Sequence, residues 1–173
     1  QNEVIMKNDM TESKAYPQIH IALATDNNYL IPTTVALKSL FQHHPDVRMS
    51  IYLCYVQNQL KKDFIDFFIQ FAAKHKACLH PIQITPEQLA DLPETRHGKA
   101  TLLRLCLPKL LPHLKKILYL DGDVVVQSSL TELYNTHLGQ NYIAAVKDTF
   151  PIYHPQYIKN LHISDTHWYF NAG

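Results

Sequence analysis

The chain has 173 residues, 46% hydrophobic and 18% charged, which suits one ordered domain with a sizeable core. Sixteen Lys and Arg stand against 15 Asp and Glu with no block of like charge, so the sequence carries no electrostatic footprint for nucleic acid. No segment reaches the roughly 18 apolar residues needed to span a bilayer. The expectation is a soluble chain of the cytoplasm, with peripheral contact at a membrane surface left open.

Residues 1–18 form a polar lead that is expected to be flexible and does not read as a signal peptide. Residues 19–173 read as one domain. IHIALATD, 19–26, is an apolar run ending in Thr25 and Asp26, which predicts a strand with its functional end exposed. IPTTVALKSLFQ, 31–42, predicts a helix, with Pro32 in its first turn and Val35, Leu37, Leu40 and Phe41 on the apolar face. HHPD, 43–46, breaks it, and His43 and His44 read as surface residues. MSIYLCYV, 49–56, is the next apolar run.

LKKDFIDFFIQFAAKH, 60–75, carries Phe64, Phe67, Phe68 and Phe71 as a helical stripe, which reads as core. CLHPIQI, 78–84, predicts a short strand and TPEQLADL, 85–92, a brief helix capped by Thr85. KATLLRLCLPKLLP, 99–112, predicts a helix kinked or broken near Pro108, whose ring and missing donor interrupt helical bonding. KKILYLDGDVVV returns to a strand, SSLTELY, 128–134, to a helix capped at Ser129, and NYIAAVKD, 141–148, to an apolar segment ending in an acid. Cys54, Cys78 and Cys106 are odd in number and each sits in an apolar segment, so all three read as core thiols in a reducing compartment.

Alternating strands and helices are best satisfied by a single α/β, Rossmann-like nucleotide-binding domain with a mostly parallel sheet flanked by helices. In such sheets ligands bind beyond the carboxyl ends of the strands, so Asp26, Asp121 and Asp123 are expected to converge there. Asp121 and Asp123 cannot lie unpaired in a dry strand interior, because an isolated buried carboxylate is too costly. In an extended chain they would share a face, with Gly122 leaving room for close approach. Two hard oxygen donors at that spacing suit Mg²⁺ or Mn²⁺ carrying substrate phosphates. A plain turn around Gly122 is the simpler alternative. A phosphatase resembling the haloacid-dehalogenase superfamily, with Asp121 as nucleophile, is another.

The stretches IHIALATDNNYL, SL at 39–40, RHGKATLLRL, ILYLDGDVVVQSSLTELY, AAVKD and WYFNAG occur in order. Together they resemble retaining glycosyltransferases of the family containing bacterial lipopolysaccharide galactosyl- and glucosyltransferases and glycogenin. The resemblance implies a GT-A type fold, here without the C-terminal part of the domain. It also implies transfer of glucose or galactose from UDP-glucose or UDP-galactose to a saccharide acceptor, as in lipopolysaccharide or other cell-surface glycan synthesis.

By that resemblance Asp26 and Asn28 hold the nucleotide, and Asp121 and Asp123 bind Mn²⁺, with Mg²⁺ equally permitted by the chemistry. Asp121 also lies near the ribose and Asp123 near the diphosphate. Arg104 reaches the donor sugar and diphosphate, while Asp148 and Asn171 bond donor-sugar hydroxyls. Arg104 is also unusual in its own right, a guanidinium among Leu102, Leu103, Leu105 and Leu107. Lys99 is a weaker candidate, and His97 reads equally as donor-pocket residue or plain loop. The family's further histidine metal ligand falls beyond FNAG, and neither His154, His162 nor His167 inherits that role. A non-catalytic sugar-nucleotide-binding remnant is the remaining alternative.

Overall fold

A computed structural model of the chain describes residues 18–93, 99–161 and 169–170. Four strands, β1 (Gln18–Ala24), β2 (Arg48–Val56), β3 (Cys78–Ile84) and β4 (Leu118–Tyr119), form one sheet in the order β3-β2-β1-β4. Every pairing is parallel. The β1–β2 ladder runs from Gln18↔Arg48 to Ala24↔Cys54, and β4 joins the other side of β1 through Ile21↔Leu118 and Ala22↔Tyr119.

Parallel neighbours need crossover connections. Helix α1 (Leu30–Gln42) links β1 to β2, and α2 (Lys62–Lys74) links β2 to β3. Both pack on one face, where Ile19, Ile21, Leu23, Ile51 and Leu53 meet Leu37, Leu40, Phe68 and Ala72. The return from β3 to β4 uses a 3-10 turn at Pro86–Leu89, a 3-10 segment at Lys99–Cys106 and helix α3 (Leu107–Leu110). These cover the opposite face, where Ala22, Tyr52, Cys54 and Ile84 meet Leu89, Leu103, Leu107 and Leu111. The two faces take alternate residues of each strand, as the period of two requires.

Strands 1 to 3 step one way across the sheet and β4 then lies on the far side of β1. The winding therefore reverses between β1 and β4, and that switch point is where an open parallel sheet leaves a ligand crevice. Asp26 follows β1 and Asp121 follows β4, so the two acids flank it.

Several elements differ from expectation, each for a physical reason. Pro108 lies in the first turn of α3, so the break falls just before it: a 3-10 segment ends at Cys106 and a new helix begins where the missing proline donor is harmless. Phe68 is fully buried in α2, whereas Phe67 is 41% exposed, because the stripe is wider than the contact the sheet offers. Val35 on α1 is likewise exposed, and Thr33 and Ala36 are buried instead.

Helix α4 (Thr131–Asn135) begins after Leu130 rather than Ser129. His44 engages that N-cap residue: it is buried, donating from Nδ1 to the Leu40 carbonyl (2.7 Å) and accepting the Leu130 N–H at Nε2 (2.7 Å). The surface reading of His44 is thus overturned by a bond to a residue far along the chain. Cys54 is buried, and burial, with Cys106 adding, pushes its thiol up to about 12. Cys78 is exposed at the start of β3 and Cys106 half-buried, so only Cys54 is the inert core thiol expected of all three.

The segment 141–148 forms no strand. Residues 141–147 are exposed, and its order comes from an antiparallel bridge, Lys147↔Phe170. Helices α5 (Phe150–Tyr153) and α6 (Pro155–Asn160) follow it.

Candidate functional site

The exit of β1 is built by local capping. Asp26 leaves the strand in extended conformation, and its Oδ1 accepts the N–H groups of Asn28 (2.7 Å) and Tyr29 (3.1 Å). That carboxylate closes the 3-10 turn Asn27–Tyr29, the ordinary use of an acid at such a position. Asn27 ties the turn down on both sides, its N–H donating to the Gln59 carbonyl and its Oδ1 accepting the Lys61 N–H. Asn28 is left exposed at the crevice end of the sheet.

The second wall is the LYLDGD segment. Leu118 and Leu120 turn toward α1 and α2, whereas Tyr119 turns toward the face covered by the 3-10 segment. Beyond β4 the chain turns instead of staying extended, with Val124 N–H reaching the Asp121 carbonyl at 3.5 Å. The expectation that strand alternation puts Asp121 and Asp123 on one face is corrected accordingly. Whatever they share, they share it through the turn at Gly122.

Gly122 is buried against the β1 exit. A Cβ there would lie 3.0 Å from the Ala24 carbonyl oxygen, 3.0 Å from Thr33 Oγ1 and 3.6 Å from the Tyr29 ring. Thr33 Oγ1 is itself 2.8 Å from Thr25 Oγ1 in a buried hydroxyl pair. The loop after β4 is thus seated on the loop after β1 with no space for a side chain between them. Further along, Ser39 Oγ accepts the Val126 N–H at 2.9 Å and fastens the loop to α1.

Asp121 is half-buried and its Oδ1 lies 3.1 Å from an Arg104 guanidinium nitrogen, a paired arrangement that answers the cost of partial burial. The guanidinium also lies over the Tyr119 ring, 4.5 Å from its centre. Burial pushes the Tyr119 hydroxyl up, with Asp121 acting the same way and Arg104 opposing it. Asp123, in contrast, is exposed at the turn.

The structure therefore brings Asp26, Asn28, Asp121, Asp123 and Arg104 to one end of the sheet. Asp148 is half-buried, accepts the Phe150 N–H on Oδ1 (2.8 Å) and sends its own N–H to the Tyr169 carbonyl (3.4 Å). It stands just before Thr149, the N-cap of α5, and beside the isolated Lys147↔Phe170 bridge. His97 and Asn171 lie outside the described residues. Asn27, Tyr29, Thr33 and Tyr119 were not foreseen. Of these only Tyr119 had a legible signal, as the residue sharing Asp121's parity in an apolar strand.

Among the described residues no group of three or more His, Cys, Asp or Glu stands together to hold a metal. Asp121 and Asp123 offer two hard oxygen donors, one exposed and one already balanced by a cation. Such a pair suits a divalent ion that keeps water and substrate oxygens as its other ligands, rather than a closed protein cage.

The sequence pattern of "Glycosyl transferase family 8" matches residues 20–173. The chain belongs to that family. Among curated relatives, a putative glycosyltransferase of Haemophilus influenzae is 27% identical over 159 residues, covering 90% of this chain and 47% of the relative. A lipopolysaccharide 1,2-glucosyltransferase of Escherichia coli is 24% identical over 131 residues, covering 75% of this chain and 38% of the relative. A crystal structure of the galactosyltransferase LgtC with donor and acceptor sugar analogues superposes with a TM-score of 0.76 at 32% identity, over 90% of this chain and 56% of that one. This family member thus spans about half the length, or less, of the relatives it matches. The match displaces the phosphatase reading of Asp121, whose carboxylate is engaged by Arg104. Among the described residues no helix is long and apolar enough to cross a membrane.

Proposed function

We propose that this chain forms the nucleotide-sugar-binding part of a retaining hexosyltransferase that moves glucose or galactose from a UDP-sugar to a saccharide acceptor. The observation that carries this reading is the Arg104–Asp121 pair at the switch point of a parallel sheet, in a chain of this family. A crevice there needs groups for a base and ribose, for a diphosphate and for a sugar. The loop Asp26–Asn28 stands on one side and the Asp121–Asp123 turn on the other, with Arg104 behind it.

Asp121 and Asp123 would hold a divalent cation, Mn²⁺ or Mg²⁺, which when bound neutralises charge on the diphosphate and eases its departure. Arg104 presents a planar fork to diphosphate and sugar oxygens, so negative charge on the leaving group is stabilised by a fixed donor. Asp148 and Asn171 are assigned to the hydroxyls of the donor sugar, and His97 to the donor pocket. Front-face attack, with the departing phosphate accepting the acceptor's proton, is the preferred route, since no nucleophile stands out among the described residues. The LgtC structure was solved with donor and acceptor analogues, which supports a sugar donor and sugar acceptor for this chain as well. The name of the Escherichia coli relative, a lipopolysaccharide 1,2-glucosyltransferase, supports a lipopolysaccharide acceptor.

Because the chain spans only part of its relatives, donor binding is the property expected of it by itself. Calorimetric titration with UDP, UDP-glucose and UDP-galactose, with and without Mn²⁺, tests this directly. Cation-dependent binding that disappears in Asp121→Asn/Asp123→Asn is the expected result. Folded chain that ignores all three nucleotides sinks the donor-site reading.

A further inference from the structure

We propose that Tyr119 is a positioning residue for Arg104, its ring face holding the guanidinium on Asp121 before any donor arrives; the inference rests on the donor-site reading of Arg104. Three observations combine. The alternation of β4 sends Tyr119 to the face occupied by Arg104, while Leu118 and Leu120 go to the other. The guanidinium carbon sits 4.5 Å from the ring centre while a terminal nitrogen sits 3.1 Å from Asp121 Oδ1. Tyr119 itself is packed beside Ala22, Leu103 and Leu107, so its ring is a fixed surface.

An ion pair anchors one end of an arginine fork but leaves the plane free to rotate about the long side chain. A ring face beneath the plane removes that freedom. The ring contact and the ion pair hold the same guanidinium through different atoms, its central carbon over the ring and a terminal nitrogen on Asp121. An arginine so held loses less rotamer freedom when it meets a diphosphate, and preorganisation of one side chain is worth about two- to tenfold in affinity. Tyr119 needs no contact with the donor for this effect. The stacking uses the ring face, and the hydroxyl's hydrogen bond to Asp121 is a separate contact that Tyr119→Phe removes while keeping the ring.

The test is UDP titration, with the divalent cation supplied, of the 173-residue chain and its Tyr119→Phe, Tyr119→Leu, Arg104→Met and Arg104→Met/Tyr119→Leu variants. Tyr119→Phe is expected to bind within about twofold of the parent, and Tyr119→Leu about two- to tenfold more weakly. In the Arg104→Met background the leucine is expected to add nothing, a coupling that a merely structural tyrosine would not show. Tyr119→Met replaces Tyr119→Leu if that variant does not fold. Wild-type affinity in the leucine variant overturns the proposal, as does equal weakening with and without Arg104, or weakening by phenylalanine as large as by leucine. A parent chain that binds no UDP overturns the donor-site reading itself and this inference with it.

Discussion

Residues 18–93 and residues 124–161 are both rich in apolar side chains, yet the first region buries most of its core-forming ones and the second, Val126 aside, leaves most of its own exposed. In the first, β1, β2 and β3 pair over seven residues at a time and both sheet faces are covered. In the second, Leu133, Tyr142, Ile143, Val146 and Tyr153 are all exposed, and Tyr142 completely so. The difference lies in partners rather than in composition. A parallel strand is stable only when a neighbour takes its backbone groups and layers take both its faces. β4 has one neighbour among the described residues and keeps two ladder positions. The segment 141–147 has a bridge to Phe170 and keeps less. The candidate site lies at the border, one wall built by the exit of β1 in the first region and the other by the turn after β4 that leads into the second.

The largest effect should come from attacking each region with a comparable truncation. Phe68→Ala removes a fully buried ring from between α2 and the sheet, and a loss of about 3–5 kcal/mol is expected. Tyr142→Ser removes a ring that touches nothing buried and should stay within about 0.5 kcal/mol. Urea unfolding followed by circular dichroism measures both. Equal losses would mean that the second region folds cooperatively with the first, and the contrast drawn above would fail.

A smaller effect is expected at the border. Gly122→Ala places a methyl 3.0 Å from a backbone carbonyl and from Thr33 Oγ1, neither of which is a flexible side-chain end. Overpacking of that kind costs about 1–3 kcal/mol. Because the methyl would push the β4 loop off the β1 exit, nucleotide binding should fall along with the melting temperature. A variant that melts lower but binds UDP unchanged would show that the two loops need not touch to form the crevice.

Much of this was legible from the sequence, because the features concerned are local. The apolar runs at 19–24, 49–56 and 78–84 named their strands, and the Asp26 and Thr85 caps announced the turns that follow. The convergence of Asp26 with Asp121 was legible too, since parallel topology and the carboxyl-end rule suffice to predict it. What stayed hidden depends on long-range contacts. HHPD gives no hint that His44 Nε2 will receive an N–H from Leu130, and Gly122 does not announce the carbonyl it must clear. The apolar segment 141–148 stays out of the sheet for a related reason: its pattern is apolar, but no described strand lies beside it to complete a ladder.

The smallest effect concerns the amino-terminal edge of the sheet, the end of the first region remote from the crevice. His20 packs against Tyr52, whose hydroxyl lies 3.3 Å from His20 Nδ1, and Tyr52 stacks on His80. Burial lowers the His20 pKa from its ordinary 6.5, with His113 and His80 adding to the effect. The unfolded chain therefore takes up the proton at a higher pH than the folded one. Stability from this group is complete above about pH 6.5 and declines as pH falls through the folded pKa. His75 is lowered too, by burial and by Lys38, and acts in the same direction. Comparing urea midpoints near pH 7.5 and pH 5.5, above the usual carboxylate range of about 4, reads histidine protonation, and the His20 substitution picks out its share. The parent should be less stable at the lower pH, and His20→Gln should narrow the gap without removing the His75 share. Cation-supported UDP binding at the higher pH should be untouched by the substitution, since the carboxyl ends of the strands do not depend on this edge. An unchanged gap would mean that protonated His20 is as well accommodated in the folded sheet as in water, and that the first region is not uniformly tight but open at its amino-terminal edge.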